Sequence, residues 1–222
     1  MRKIKHRKKP QIPPTRKMNK IALFGGTFDP IHLGHVNLAQ AAVEKCGLDQ
    51  LIFVPNYISP FKQDRQVTSG VERSEMIQIA LRTHPKFALS TYELERTGPS
   101  YTYDTLRHFR EAWPDTELHF VIGFDSVLTI DTWYHGEDIL REYPLITAVR
   151  PGVPREEAFR RIEKYRANYG SRIQMMNIEP FDASSSEIRQ MVQRGERITE
   201  LVPPAVEKYI EEHGLYRYQG AE

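Results

Sequence analysis

One stretch constrains the chain more than any other: Lys20-Ile21-Ala22-Leu23-Phe24-Gly25-Gly26-Thr27-Phe28-Asp29-Pro30-Ile31-His32-Leu33-Gly34-His35. Four apolar residues in succession, Ile21 to Phe24, fit a strand buried on both faces of a parallel sheet. Gly25 and Gly26 then remove the side chains that would keep a ligand off the main chain. A proline-containing turn leads to a helix predicted over roughly residues 33–46. Its free N–H groups and positive dipole end face back toward the glycines, which makes a ready phosphate site. His32 and His35 are three apart and share one face of that first turn. Two imidazoles beside a helix N-terminus suit a crowded anion better than a metal ion. The glycine spacing excludes both a G-x-G-x-x-G dinucleotide loop and a G-x-x-x-x-G-K-[ST] phosphate loop. A glycine pair after a strand is common, and so are paired histidines; the signal lies in the ordered string.

A chain of 222 residues can bury the core of one sizeable α/β domain. It has no apolar run of about 18 residues, so no membrane-spanning helix is expected. The basic start lacks the apolar stretch of a secretory signal. A single cysteine, Cys46, allows no internal disulfide and fits a reducing cytoplasm. Ala41, Ala42 and Val43 beside it mark a packed structural thiol, and no Cys/His cluster has zinc spacing. Charge is uneven. Residues 1–17 hold eight lysines and arginines and no acid, against a net charge of +2 for the whole chain. The remainder is therefore about −6, which argues against a broad nucleic-acid surface. With Pro10, Pro13 and Pro14 in it, residues 1–17 read as a disordered tail. The tail is a solvated extension, or a start codon placed ahead of Met18, or an electrostatic contact for nucleic acid; the first two are favoured.

Strands and helices alternate from residue 18 to 217, which indicates one domain with a parallel sheet wound on both faces, leaving 218–222 as a short C-terminal tail. Further strands are predicted over residues 51–56, 87–95, 117–122, 145–149 and 173–178. Helices are predicted over residues 71–82, from Thr102 to about Trp113, over 156–169, from Ser184 or Ser185 onward, and over 206–213. Ser100 or Thr102 is a candidate cap for the second of these, and Ser184 or Ser185 with Glu187 for the fourth. Gly123-Phe124-Asp125 ends a buried strand, where a carboxylate can accept both hydroxyls of a ribose. Ser186 and Arg189, at a helix start, supply a hydroxyl and a fixed positive charge for a second phosphate.

The string Gly25 to His35, G-G-T-F-D-P-I-H-L-G-H, resembles the signature loop of the nucleotidyltransferases that share H-x-G-H. Its particular form is similar to bacterial nicotinate mononucleotide adenylyltransferases. Agreement continues in order through P-N-x-x-x-P-x-K ending at Lys62, G-P-S-Y-T at Gly98 to Thr102, G-x-D-S at Gly123 to Ser126, T-W-Y at Thr132 to Tyr134, S-S-S-E-I-R at Ser184 to Arg189, and a closing H-G-L-Y. Position 61 is phenylalanine where relatives often carry histidine, and Phe124 is bulkier than usual. The resemblance implies a Rossmann-like doubly wound α/β fold and adenylyl transfer from ATP to nicotinate mononucleotide, a step of NAD biosynthesis.

By that resemblance ATP is held by Gly25, Gly26, Thr27, Phe28, His32, His35, Gly123, Asp125, Ser186 and Arg189. His32, His35 and Arg189 carry the catalysis. The mononucleotide is held by Lys62, Thr102, Trp133 and Tyr134, with Trp133 on the pyridine ring and Thr102 near its carboxylate. Mg²⁺ is expected through the nucleotide phosphates and water, since no carboxylate cluster suggests a protein cage. ATP and the mononucleotide are the expected partners, with no membrane. Whether the chain forms a homo-oligomer stays open. Two alternatives remain: a related transferase with nicotinamide mononucleotide, phosphopantetheine or another phosphate as acceptor, and a non-catalytic nucleotide-binding regulator that uses the tail on nucleic acid.

Overall fold

The computed structural model describes residues 18–57, 67–96, 98–148, 155–179 and 181–217. The calls on the tail 1–17, on Phe61 and Lys62, and on 218–222 lie outside these residues. Six strands, β1 (Lys20–Gly26), β2 (Gln50–Pro55), β3 (Phe87–Leu89), β4 (Glu117–Val121), β5 (Leu145–Ala148) and β6 (Ile173–Met176), form one sheet in the order β3-β2-β1-β4-β5-β6. Every pairing is parallel. This is the doubly wound Rossmann-like arrangement, and the order reverses between β1 and β4, which opens a crevice at their carboxyl ends.

Side chains on β1 and β2 alternate between the two faces with the period of a strand. Ala22, Phe24, Leu51 and Phe53 enter one core with helices α1 (Leu33–Cys46), α2 (Gly70–Leu81), α7 (Ser185–Gln193) and α8 (Pro204–Glu212). Ile21, Leu23, Ile52 and Val54 enter the other with α3 (Thr102–Ala112), α5 (Gly136–Glu142) and α6 (Arg155–Tyr169). Cys46 is buried beside Met176, sulfur to sulfur 3.7 Å. Trp113 packs on Phe109 as a structural residue.

Three expectations are corrected. The strand predicted over 87–95 ends at Leu89, because the chain turns: the Glu95 N–H donates to the Thr91 carbonyl at 3.1 Å, and Tyr92 stacks on His108 of α3. Neither Ser100 nor Thr102 caps α3. Tyr101 holds the N-cap position without a side-chain bond, Thr102 is already helical, and the Ser100 hydroxyl accepts from the Tyr57 N–H at 3.2 Å. A one-turn helix α4 (Phe124–Val127), a 3-10 turn at Ile130–Thr132 and α5 fill a region where no helix was expected.

Candidate active site

β1 delivers its glycines to the crevice, and the turn that follows is fixed from behind. The Gly26 carbonyl accepts from the Asn56 N–H at 3.0 Å, and the Thr27 carbonyl from Arg73 Nη1 at 2.7 Å. The Asp29 carbonyl accepts from Arg189 Nη1 at 2.6 Å, and the Pro30 carbonyl from the Ser185 hydroxyl at 3.0 Å. Four carbonyls of this turn are thus taken up by donors from α2, α7 and the residue that follows β2. Phe28 sits inside the turn with φ of 51° and only 2% of its surface exposed. Its ring packs on Phe24, Phe53 and His35. It supports the turn from within, so any ligand contact at Phe28 is through its main chain. A Cβ at Gly26 would come within 2.9 Å of that ring; the glycine is needed for the phenylalanine as well as for access.

The α1 entry is organised by its two histidines. His32 is the N-cap residue, and its main-chain N–H donates to His35 Nδ1 at 3.3 Å. An Nδ1 that accepts leaves the hydrogen of a neutral imidazole on Nε2, so His35 presents a fixed donor. The two rings stack with centroids 3.7 Å apart. His35 is half-buried, whereas His32 is 2% exposed and covered by the parallel ring of Phe181 at 5.3 Å. Gly34 makes room for that cover: a Cβ there would lie 2.5 Å from Phe181. The Leu33 N–H is taken by the Leu201 carbonyl and the His35 N–H by His32, each at 2.9 Å, so the free amides expected at this helix start are fewer than its dipole suggests.

At α7 the expected cap is present. Ser184 accepts from the Glu187 N–H at 3.2 Å, and Glu187 accepts from the Ser184 N–H at 2.7 Å, which holds the Glu187 carboxyl below the usual carboxylate range. Arg189 donates to Ser186 at 3.3 Å as well as to Asp29. These bonds use two of its five N–H donors.

On the other side of the glycine turn lies a cleft of about 510 Å³ whose walls include Gly25, Gly26, Thr27, Thr102, Asp125, Trp133 and Tyr134. Gly123 lies two residues past the end of β4 and is the N-cap of α4, so Asp125 is carried on the first turn, exposed to the cleft. Phe124 is 1% exposed and turned into the protein, leaving the cleft open. Trp133 is half-buried against the core, and Tyr134 stands 51% exposed at the rim with its ring 4.6 Å from Tyr101. His32, His35, Ser186 and Arg189 lie beyond the cleft wall, joined to it through the turn Gly26–Pro30.

Two cleft-wall residues, Asn56 and Glu93, are not among the site residues expected from the sequence, although Asn56 belongs to the P-N segment. Asn56 closes the turn through its N–H and offers its side-chain amide to Thr27 at 3.4 Å. Glu93 is 7% exposed, lines the cleft and accepts from the Thr105 hydroxyl at 2.6 Å. Burial pushes its carboxyl above the usual carboxylate range, against hydrogen bonds from Thr105 and Ser100 and the charge of Arg96.

Residues 23–191 match the cytidylyltransferase-like family model. The chain is 36% identical over 199 residues to the nicotinate-nucleotide adenylyltransferase of Bacillus subtilis, covering 90% of this chain and 99% of that protein. It belongs to the nicotinate-nucleotide adenylyltransferase family. A Geobacillus thermodenitrificans member of the family, named a probable nicotinate-nucleotide adenylyltransferase, is 41% identical over the same length, covering 90% of this chain and 87% of that one. Among solved structures, the Plasmodium falciparum nicotinic acid mononucleotide adenylyltransferase complexed with NaAD superimposes with a TM-score of 0.74. It is 23% identical and covers 89% of this chain and 97% of that one. That likeness bears on the fold of this nicotinate-nucleotide adenylyltransferase family member. Among the described residues no group of three or more His, Cys, Asp or Glu side chains could hold a metal ion, and no helix is long and apolar enough to cross a membrane.

Proposed function

We propose that this protein transfers the adenylyl group of ATP to nicotinate mononucleotide, releasing pyrophosphate and forming nicotinate adenine dinucleotide. The observation that carries the reading is the crevice between β1 and β4. It joins a glycine turn with its carbonyls drawn back, an Asp on a strand-end helical turn, and an aromatic wall at Trp133. A phosphate oxygen of the mononucleotide attacks the α-phosphorus. The bond from that phosphorus to the bridging oxygen breaks, and its electron pair leaves with pyrophosphate. The attacking oxygen is already anionic near neutral pH, so positioning and charge neutralisation supply the catalysis.

In this reading His35 donates its Nε2–H to a phosphate oxygen as charge develops on the α-phosphorus, and His32 holds His35 in place. Contact of His32 itself with phosphate needs Phe181 to move off its ring. The main chain of Gly25 to Phe28 receives the nucleotide, and Asp125, on the turn after Gly123, accepts the ribose hydroxyls. Ser186 and Arg189 hold the departing phosphates. Trp133 and Tyr134 flank the cationic pyridine ring, and Thr102 at the start of α3 meets its carboxylate. Lys62 is assigned to the attacking phosphate on sequence grounds alone. The Asp29 carboxylate is committed to the Tyr216 hydroxyl at 2.7 Å. Mg²⁺ would be held through the nucleotide phosphates and water and would supply charge neutralisation for the leaving pyrophosphate. The single cysteine and the use of ATP support a cytoplasmic location.

The test is pyrophosphate release with ATP and Mg²⁺, comparing nicotinate mononucleotide, nicotinamide mononucleotide and phosphopantetheine as acceptors. A strong preference for the first is expected. Equal use of both pyridine mononucleotides would remove the assignment of a carboxylate contact at Thr102. Activity with none of them would overturn the reading.

A further inference from the structure

We propose that Tyr216 is a positioning residue of the phosphate-binding turn, acting through the buried carboxylate of Asp29, while Arg73 braces the same turn through its main-chain carbonyls. The inference rests on the adenylyl-transfer reading of the site. Arg73 lies on α2, about forty residues after the turn. It is 2% exposed, and all three guanidinium nitrogens donate to main-chain carbonyls: Nη1 to Thr27 at 2.7 Å, Nη2 to Asn56 at 2.8 Å and Nε to Thr68 at 2.9 Å. Asp29 is 4% exposed. One of its carboxylate oxygens accepts from the Tyr216 hydroxyl at 2.7 Å, and the other from the Thr68 N–H at 3.4 Å. Tyr216 follows α8 near the C-terminus, in the left-handed region with φ of 61°.

A planar guanidinium that spans three carbonyls sets their relative directions as well as their burial. Burial lowers Arg73 from its ordinary value while Asp29 and Tyr216 work against that, and burial with the Asp29 charge raises Tyr216. Taking charges out of water is a poor way to gain stability compared with apolar packing. What this arrangement does secure is direction. The carbonyls of Gly26, Thr27, Asp29 and Pro30 each accept from one donor behind the turn, which sets the direction in which each carbonyl points. Tyr216 fixes the Asp29 side chain, Arg189 fixes the Asp29 carbonyl, and Arg73 fixes Thr27. Phe28 between them is held at a positive φ that a bulky residue adopts only when its surroundings impose it.

The experiment uses the full chain with Tyr216→Phe, Asp29→Asn and the double variant, assayed by pyrophosphate release with each substrate varied in turn. Tyr216→Phe removes one hydroxyl and no ring. Its kcat is expected to fall about tenfold, a difference of about 1.4 kcal/mol in the barrier, with both KM values within about twofold of the parent. The double variant should be no slower than the slower single variant, since both act through one carboxylate. A Tyr216→Phe turnover within about twofold of the parent, or losses that multiply in the double variant, would overturn the proposal. If the parent itself shows no turnover, the functional reading fails and the positioning claim is judged by amide exchange. Faster exchange confined to residues 26–35 in Tyr216→Phe, with α8 unchanged, supports it; no change, or a uniform rise, overturns it.

Discussion

Replacing His35 separates two jobs that its ring performs. Nδ1 accepts from the His32 N–H at 3.3 Å, and loss of a helix N-cap bond costs about 1 kcal/mol. The ring also meets Phe24 and Phe28 edge-on, with centroids at 5.9 and 5.0 Å, and aromatic pairs contribute about 0.5–1.5 kcal/mol each. His35→Ala is therefore expected to lose roughly 2–4 kcal/mol of stability and to lower the melting temperature by about 4–16 °C. The second job is chemical. Removing one preorganised donor to a transition-state oxyanion costs about 100- to 1000-fold in turnover. Two further substitutions divide these losses. Asparagine places an acceptor where Nδ1 was and nothing where Nε2 was; glutamine places an amide N–H near the Nε2 position and gives up the cap. His35→Asn should be more stable than His35→Ala and equally slow, while His35→Gln should recover turnover without recovering stability. The assay is pyrophosphate release at saturating ATP, Mg²⁺ and nicotinate mononucleotide, with a thermal melt of each variant. His35→Asn turning over within about threefold of the parent would refute the donor role.

Trp133→Ala should raise KM for nicotinate mononucleotide by about 2- to 12-fold, the value of one aromatic contact, and leave KM for ATP unchanged in steady-state kinetics. Gly34→Ala puts a Cβ 2.5 Å from Phe181 and 3.0 Å from the His32 ring. It should cost about 1–3 kcal/mol in a chemical melt, and adding Phe181→Ala should restore part of that. Glu93→Gln tests the raised Glu93 carboxyl. The folded state holds that proton to higher pH than the unfolded chain, so the contribution is full below the ordinary Glu value of about 4.3 and declines as pH rises toward the folded value. The melting-temperature difference, variant minus parent, should then climb as pH rises from about 4; a difference independent of pH would contradict the assignment.

What could be read from the sequence was what local chemistry determines. The helix expected over 33–46 is α1 to the residue, because its apolar spacing, its histidine-bearing start and Gly47 after it all lie within the segment. The Ser184–Glu187 cap is likewise local. Arg73 and Glu93 are different: a lone arginine inside a helix and a lone glutamate in a turn look solvated. Their partners Thr27, Asn56 and Thr105 are brought in by the sheet and by α3. The same long-range contacts explain the shortened β3. Apolar and polar residues alternate past Leu89 as in a strand, but Tyr92 goes to His108 and Glu93 to Thr105, which closes a turn. Helix α5 is only seven residues long, too short for its period to stand out from a loop. Ser100, a credible cap by sequence, gives its oxygen to Tyr57 across the crevice instead.

The direction of each histidine bond also limits what kind of catalyst this site can be. A general base needs a lone pair facing the substrate, and the lone pair of His35 faces the His32 N–H. On the proposed reading the other nitrogen, which carries the hydrogen of a neutral ring, meets the phosphate, so that the ring donates and does not abstract. Adenylyl transfer to a phosphate suits that arrangement, since its nucleophile arrives without a proton to lose. An acceptor whose nucleophile is a hydroxyl would need a base, and the other buried acid at the cleft wall, Glu93, is already held by Thr105 and pushed toward its protonated form. The chain has instead put its charged groups behind the turn, Arg73 and Asp29 on main-chain partners and Arg189 on Asp29 and Ser186. On the proposed reading they hold geometry there for an in-line displacement, the contribution such a reaction asks of the protein beyond neutralising charge.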